Sequence, residues 1–137
     1  MKILCIDDEV DFRQDLVEFL EELGHEVVEA SDGAQGLEIM RGQRPDLIIC
    51  DRSMPNMTGT ELLETLRKDD SIPDSLPFIF LTALDDRRDR YATLHLNPTK
   101  YLTKPFDFDM LEPLLEGLAA QGGSDGAAVG GAERQAS

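Results

Sequence analysis

Tryptophan is absent from this 137-residue chain, and cysteine and tyrosine occur twice each. Cys5 and Cys50 each sit inside an apolar run. Their spacing fits neither a disulfide framework nor a zinc site, so they read as reduced core thiols. His25 and His95 show no paired ligand spacing either. Basic residues are scarce: 13 Lys and Arg stand against 28 Asp and Glu, a net charge of −15. That argues against direct contact with nucleic acid, whose phosphates the chain would repel. No apolar run approaches the ~18 residues a membrane span needs, and no secretory signal is read at the start. A soluble cytoplasmic protein without a membrane partner is the expectation.

What the chain does have is a repeated grammar of short apolar runs that stop on polar residues. The most telling is Leu47-Ile48-Ile49-Cys50, which ends on Asp51 and is followed by Arg52-Ser53-Met54-Pro55. Four apolar residues in a row suit a parallel strand buried on both faces. Burying a bare carboxylate is costly, so a core strand ending on one calls for a reason. Pro55 then turns the chain out of the sheet. Ile3-Leu4-Cys5-Ile6 ends the same way, on Asp7-Asp8-Glu9. Phe78-Ile79-Phe80-Leu81 ends on Thr82-Ala83, and Tyr101-Leu102-Thr103 on Lys104-Pro105.

Between these runs the apolar residues fall at helical spacing. Phe12, Leu16, Phe19, Leu20 and Leu23 precede Gly24, and Val27, Val28 and Ala30 make a short strand. Ser31-Asp32 caps a helix with Ala34, Leu37 and Met40. Thr58-Gly59 opens a helix with Leu62, Leu63 and Leu66 inward. Residues 85–96 read as a charged helix. Asp107 or Asp109 caps a last helix with Met110, Leu111, Leu114, Leu115 and Leu118 inward. Five strands alternating with five helices give a doubly wound α/β domain over residues 1–120. From Gln121 to Ser137 the composition turns to Gly, Ala and Ser, the mark of a disordered tail or a cut linker.

In such a sheet, with strand order 2-1-3-4-5, strands 1 and 3 are neighbours at the switch point where ligands bind. Asp7, Asp8 and Asp51 then meet at one lip, with Thr82 and Lys104 on the same edge. Three close carboxylates repel one another, and a hard divalent cation relieves them. One carboxylate can then act as a nucleophile toward a phosphoryl group, with Lys104 and Thr82 stabilising its oxygens. Ala83 beside Thr82 leaves room for that group.

The ordered set Ile6-Asp7-Asp8-Glu9, Asp51 to Pro55 with Gly59, Leu81-Thr82-Ala83 and Tyr101 to Pro105 resembles the receiver domain of bacterial two-component response regulators. The resemblance covers about residues 1–120. It implies a flavodoxin-like (βα)5 three-layer sandwich and a phosphoacceptor signalling role rather than an enzyme acting on other molecules. By that resemblance Asp51 takes a phosphoryl group from a histidine kinase or a histidine phosphotransfer protein. Asp7, Asp8, Asp51 and the backbone carbonyl of Ser53 match the ligands of magnesium, for which manganese can stand in. Thr82, Ala83 and Lys104 match the phosphoryl-binding positions, Tyr101 the aromatic switch, and Ser53 and Leu84 the positions that tune phosphoryl lifetime. A homodimer or downstream protein is implied on the face of helix 4, strand 5 and helix 5.

Two departures bear on that face. Asn97-Pro98 should end the fourth helix early. Pro113 should kink the last helix or move its start later. Arg87, Arg88, Arg90, Lys100 and Lys104 form the one basic patch, read as a solvated helix with Asp86 and Arg90 paired at four-residue spacing, or as a docking face for an acidic partner or a second copy. Other classes fit less well. A haloacid-dehalogenase-type phosphatase wants an acid where Ser53 stands. A flavodoxin-like electron carrier wants a phosphate loop where Asp7-Asp8-Glu9 stand. A phosphorylation-independent scaffold leaves the acidic pair, Thr82 and Lys104 without a purpose. A receiver cut from a larger regulator, with an effector after residue 121, fits the same motifs.

Overall fold

A computed structural model describes residues 1–82 and 94–123. Met1–Phe106 forms one compact unit, and a second begins at Asp107. In the first, β1 (Lys2–Ile6), β2 (Glu26–Ala30), β3 (Leu47–Asp51), β4 (Phe78–Thr82) and β5 (Lys100–Thr103) form a parallel sheet. The order is β2-β1-β3-β4-β5, the order expected for a flavodoxin-like doubly wound sheet. The helices α1 (Val10–Glu22), α2 (Gly33–Gly42) and α3 (Gly59–Lys68) connect the first four strands.

The strands that read as continuous apolar runs are the central ones. All five residues of β3 and of β4 are buried, Asp51 and Thr82 included. Alternate side chains leave a strand on opposite faces. One face carries Leu4, Ile6, Ile48, Cys50, Phe78 and Phe80, which pack with Met40 of α2 and Leu62, Leu63 and Leu66 of α3. Reversal of the strand order at β1, with right-handed crossovers, puts α1 on the other face, where Leu16, Val17 and Leu20 are buried.

The close approach of α2 depends on glycine. A Cβ at Gly36 would stand 2.4 Å from a terminal carbon of Ile6. Ala34, expected on the helix with Leu37 and Met40, is exposed, and Gly33 and Gly36 take buried positions. Helix starts follow the sequence. Asp32 accepts from the Gln35 amide at the head of α2, and Thr58 and Glu61 form a reciprocal capping box at the head of α3.

Asn97-Pro98 behaves as a stop. Leu94–Leu96 makes a single 3-10 turn, and Asn97 takes a left-handed φ of 57°. The charged helix expected upstream over 85–96 lies, through residue 93, outside the described residues, as do Arg87, Arg88 and Arg90. Described by itself, the second unit opens with a 3-10 turn over Phe108–Met110, capped by Asp107, and continues as α4 (Leu111–Gly123). Of the two effects expected of Pro113, the later start is the one seen. The proline falls in the first helical turn, where no amide partner is lost. Met110 is corrected from core to surface: it sits in the 3-10 turn, off the helix's apolar stripe, and is 54% exposed. Residues 124–137, most of the expected tail, lie outside the described residues.

Candidate functional site

Parallel strands deliver their carboxyl ends to one edge, so the residues that end β1, β3, β4 and β5 meet there. Ile6 is paired with Cys50 and Asp51 with Leu81, which puts Asp7 and Asp51 side by side. Thr82 is paired with Thr103, and Lys104 follows. The Lys104 amide donates to the Thr82 carbonyl at 2.8 Å. The Lys104–Pro105 peptide is cis.

Carboxylate oxygens of Asp7, Asp8 and Asp51 lie within 4.8 Å of one another. At that distance, two unit charges repel by about 3.5 kcal/mol at an effective dielectric of ~20. The three differ in setting. Asp7 is 1% exposed and Asp51 9%, while Asp8 faces solvent. Burial, and then the charge of Asp7, push the Asp51 carboxyl up to about 6, against the opposing pull of Lys104. Asp51 Oδ1 also accepts from the Ser53 amide at 3.3 Å.

Among the described residues, one ammonium serves Asp7, Asp51 and the neighbouring Glu9. Lys104 Nζ lies 2.7 Å from Glu9 Oε1, 2.9 Å from Asp7 Oδ2 and 3.5 Å from Asp51 Oδ2. Its contact with Asp7 is one of charge. Asp7 Oδ2 is buried and makes no aligned hydrogen bond. Burial acts to lower the lysine's affinity for its proton, but the hydrogen bond to Glu9 and the charges of Asp7 and Asp51 outweigh it and hold the amine above its usual range. The ammonium also stands 4.4 Å from the centre of the Phe12 ring, which in turn meets Phe106 edge-on at 6.1 Å. A buried carboxylate oxygen without a hydrogen bond, set among three acids that one lysine cannot neutralise, fits a hard divalent cation with oxygen ligands.

Residues 3–116 match the sequence model of the response regulator receiver domain. The chain belongs to that family. Receiver-bearing relatives include a probable transcriptional regulator ycf27 of Cyanophora paradoxa. It is 39% identical over 117 residues, which cover 85% of this chain and 47% of the relative. The response regulator MprA of Mycobacterium leprae is 36% identical over 93% of this chain and 55% of its own. The chain thus spans about half the length of the curated relatives it matches. Solved receiver structures superpose closely. The signal receiver domain of a signal transduction histidine kinase from Syntrophus aciditrophicus gives a TM-score of 0.80 at 30% identity, covering 87% of this chain and 89% of that one. Vibrio cholerae chemotaxis protein CheY4 gives 0.78 at 32%, covering 85% and 97%.

Within this receiver domain, Asp7, Asp8, Asp51 and Lys104 come together as the strand-end pattern predicts, and Thr82 ends β4 buried on the same edge. Tyr101 sits one layer back, half-buried, with its ring stacked on Phe80 at 5.6 Å. Ser53 is exposed beyond Asp51. Ala83 and Leu84 lie outside the described residues. The sequence pattern placed Glu9 in the motif after the acidic pair without a role of its own, and Phe12 on the apolar stripe of the first helix. Both instead hold the ammonium of Lys104. The signal was present: a third acid after the pair, and an aromatic three residues further on, one helical turn away.

Gly59 is a further residue the site depends on. A Cβ there would lie 2.5 Å from the Asp51 carbonyl oxygen and 3.0 Å from the Arg52 Cα. The head of α3 therefore presses directly on the backbone that carries Asp51. The same loop is tied across to α2: Asn56 donates to Asp32 at 2.7 Å, and the Gly33 amide to the Met57 carbonyl at 3.1 Å.

Proposed function

We propose that Asp51 is the phosphoacceptor of this receiver domain, taking a phosphoryl group from a phosphohistidine of a histidine kinase or histidine phosphotransfer protein. The observation that carries this reading is the packing of Asp7, Asp8 and Asp51 within 4.8 Å, with one ammonium reaching all but Asp8. An Asp51 oxygen attacks phosphorus and the P–N bond breaks. The departing imidazole nitrogen keeps the electron pair and takes a proton from water. Asp7, Asp8, Asp51 and the Ser53 carbonyl would hold magnesium, with manganese as a substitute. Bound there, the cation would screen the carboxylates and the phosphoryl oxygens from one another. Lys104 and the Thr82 hydroxyl supply the remaining positive charge and hydrogen bond, and Ala83 leaves the space.

In this reading Tyr101 responds to movement of Thr82, and Ser53 and Leu84 set how long the phosphoryl group lasts. The face expected from the charged segment 85–96, strand 5 and the last helix then meets a downstream protein or a second copy. The domain promotes only its own phosphorylation and dephosphorylation, in the cytoplasm. Residues 1–120 are the receiver and 121–137 a tail or linker. A second reading, that this receiver is one part of a larger regulator, is supported by relatives about twice its matched length.

Phosphoramidate with magnesium should add one phosphate to the intact mass of the wild type. It should add none after EDTA treatment and none to Asp51→Asn. A phosphate gain that persists in Asp51→Asn would remove Asp51 as the acceptor.

A further inference from the structure

Lys104 is not waiting free at Asp51. Its ammonium is nearest to Glu9, at 2.7 Å, next to Asp7, at 2.9 Å, and farthest from Asp51, at 3.5 Å. Charge-assisted N–H···O contacts run ≈ 2.7–2.9 Å, so the hydrogen bond to Glu9 is fully made and the one to Asp51 is stretched, while Asp7 attracts the amine by charge. The Phe12 ring flanks the amine at 4.4 Å. Glu9 reaches it from the solvent side, 65% exposed, while the lysine side chain is only 16% exposed.

We infer that Glu9 is a positioning residue which parks Lys104 away from Asp51, and so sets how readily the site accepts a phosphoryl-like group. This rests on the reading of Asp51 as the acceptor. A group bound to Asp51 can be paired by Lys104 only if the ammonium shifts toward Asp51 and gives up the contact with Glu9. The strength of that contact is therefore subtracted from the binding of the group. Glu9 is largely exposed, which limits the effect to the range of a solvent-reached pair, at its upper end because the lysine is enclosed.

Beryllofluoride is the probe, titrated at saturating magnesium and followed by the amide NMR signals of Thr82 and Lys104. Glu9→Gln should bind it about three- to five-fold more tightly than wild type. Glu9→Asp keeps the charge but is one methylene short of the lysine, and should tighten binding in the same direction. The Lys104 side-chain amine signal of the magnesium-loaded, beryllofluoride-free protein should shift in both variants. Magnesium affinity, titrated separately, should not increase in either. Equal or weaker beryllofluoride binding by Glu9→Gln would overturn the inference. So would an effect confined to Gln, which would assign it to the general charge of the site. A wild type that does not respond to beryllofluoride at all would sink the acceptor reading and this inference with it. A responding wild type with unresponsive variants would sink the inference alone.

Discussion

Burial, and then the charge of Asp7, push the carboxyl of Asp51 up to about 6 from its ordinary 3.8. A carboxyl whose folded value lies above its unfolded one gives stability that is fully present below about pH 4 and lost as pH rises through about 6. The magnesium-free protein should therefore lose stability across that window. The difference between 3.8 and about 6 corresponds to ~3 kcal/mol, and solvent access to the site should halve it to about 1–2 kcal/mol. Urea unfolding of Asp51→Asn should show no difference from wild type near pH 4 and a gain of that size at pH 7.5. A gain that is the same at both pH values would assign it to packing instead. Gly59 belongs to the same scale. Gly59→Ala forces a methyl group against the Asp51 carbonyl, which is backbone and cannot swing aside. It should cost about 2 kcal/mol in urea unfolding and lower the rate of phosphorylation by phosphoramidate. Gly36→Ala meets side chains, Ile6 foremost, rather than the backbone that carries Asp51, and should leave that rate unchanged.

Elements were legible where local chemistry is strong. The run Leu47–Cys50 and the run Phe78–Leu81 became fully buried strands, and Thr58 with Glu61 became a capping box. Thr58→Ala should lower stability by about 1 kcal/mol without altering the magnesium requirement, as thermal unfolding and phosphoramidate labelling would show. Legibility failed where tertiary contact decides. Met110 keeps the apolar rhythm of the last helix but lies in the turn before it, because Asp107 rather than Asp109 starts the turn. The burial of Gly33 and Gly36 ahead of Ala34 follows from how closely α2 approaches β1 and the β3–α3 loop, which no helical spacing reveals. Likewise, Arg67 of α3 donates to the carbonyls of Leu96 and Asn97 at 2.8 and 3.1 Å, closing off the 3-10 turn that Pro98 ends. The proline announced the stop, but its partner 30 residues away could not be read from it.

At the scale of the whole molecule, the site is a product of topology. Asp7, Asp51, Thr82 and Lys104 stand far apart in the chain, and a parallel sheet with the order 2-1-3-4-5 brings their strand ends to one edge. The sequence revealed this because each strand ends on its polar residue, so strand order alone implied the cluster. Glu9 and Phe12 were fainter in it: their spacing after the acidic pair is a signal, but they act on Lys104 through side-chain geometry rather than strand position. A net charge of −15 adds a background that magnesium should relieve. Ten millimolar magnesium should raise the melting temperature of wild type, and by much less in Asp7→Asn, since a ligand that binds only the folded state stabilises it by mass action.

The most direct measurement is chemical mapping of the acceptor. The protein is treated with phosphoramidate and magnesium, reduced with borohydride, which converts an aspartyl phosphate to homoserine, and sequenced by peptide mass spectrometry. Homoserine at position 51, absent when magnesium is withheld, is the expected result. Homoserine at position 7 or 8, or at no position while the wild-type intact mass shows added phosphate, would contradict the assignment of Asp51.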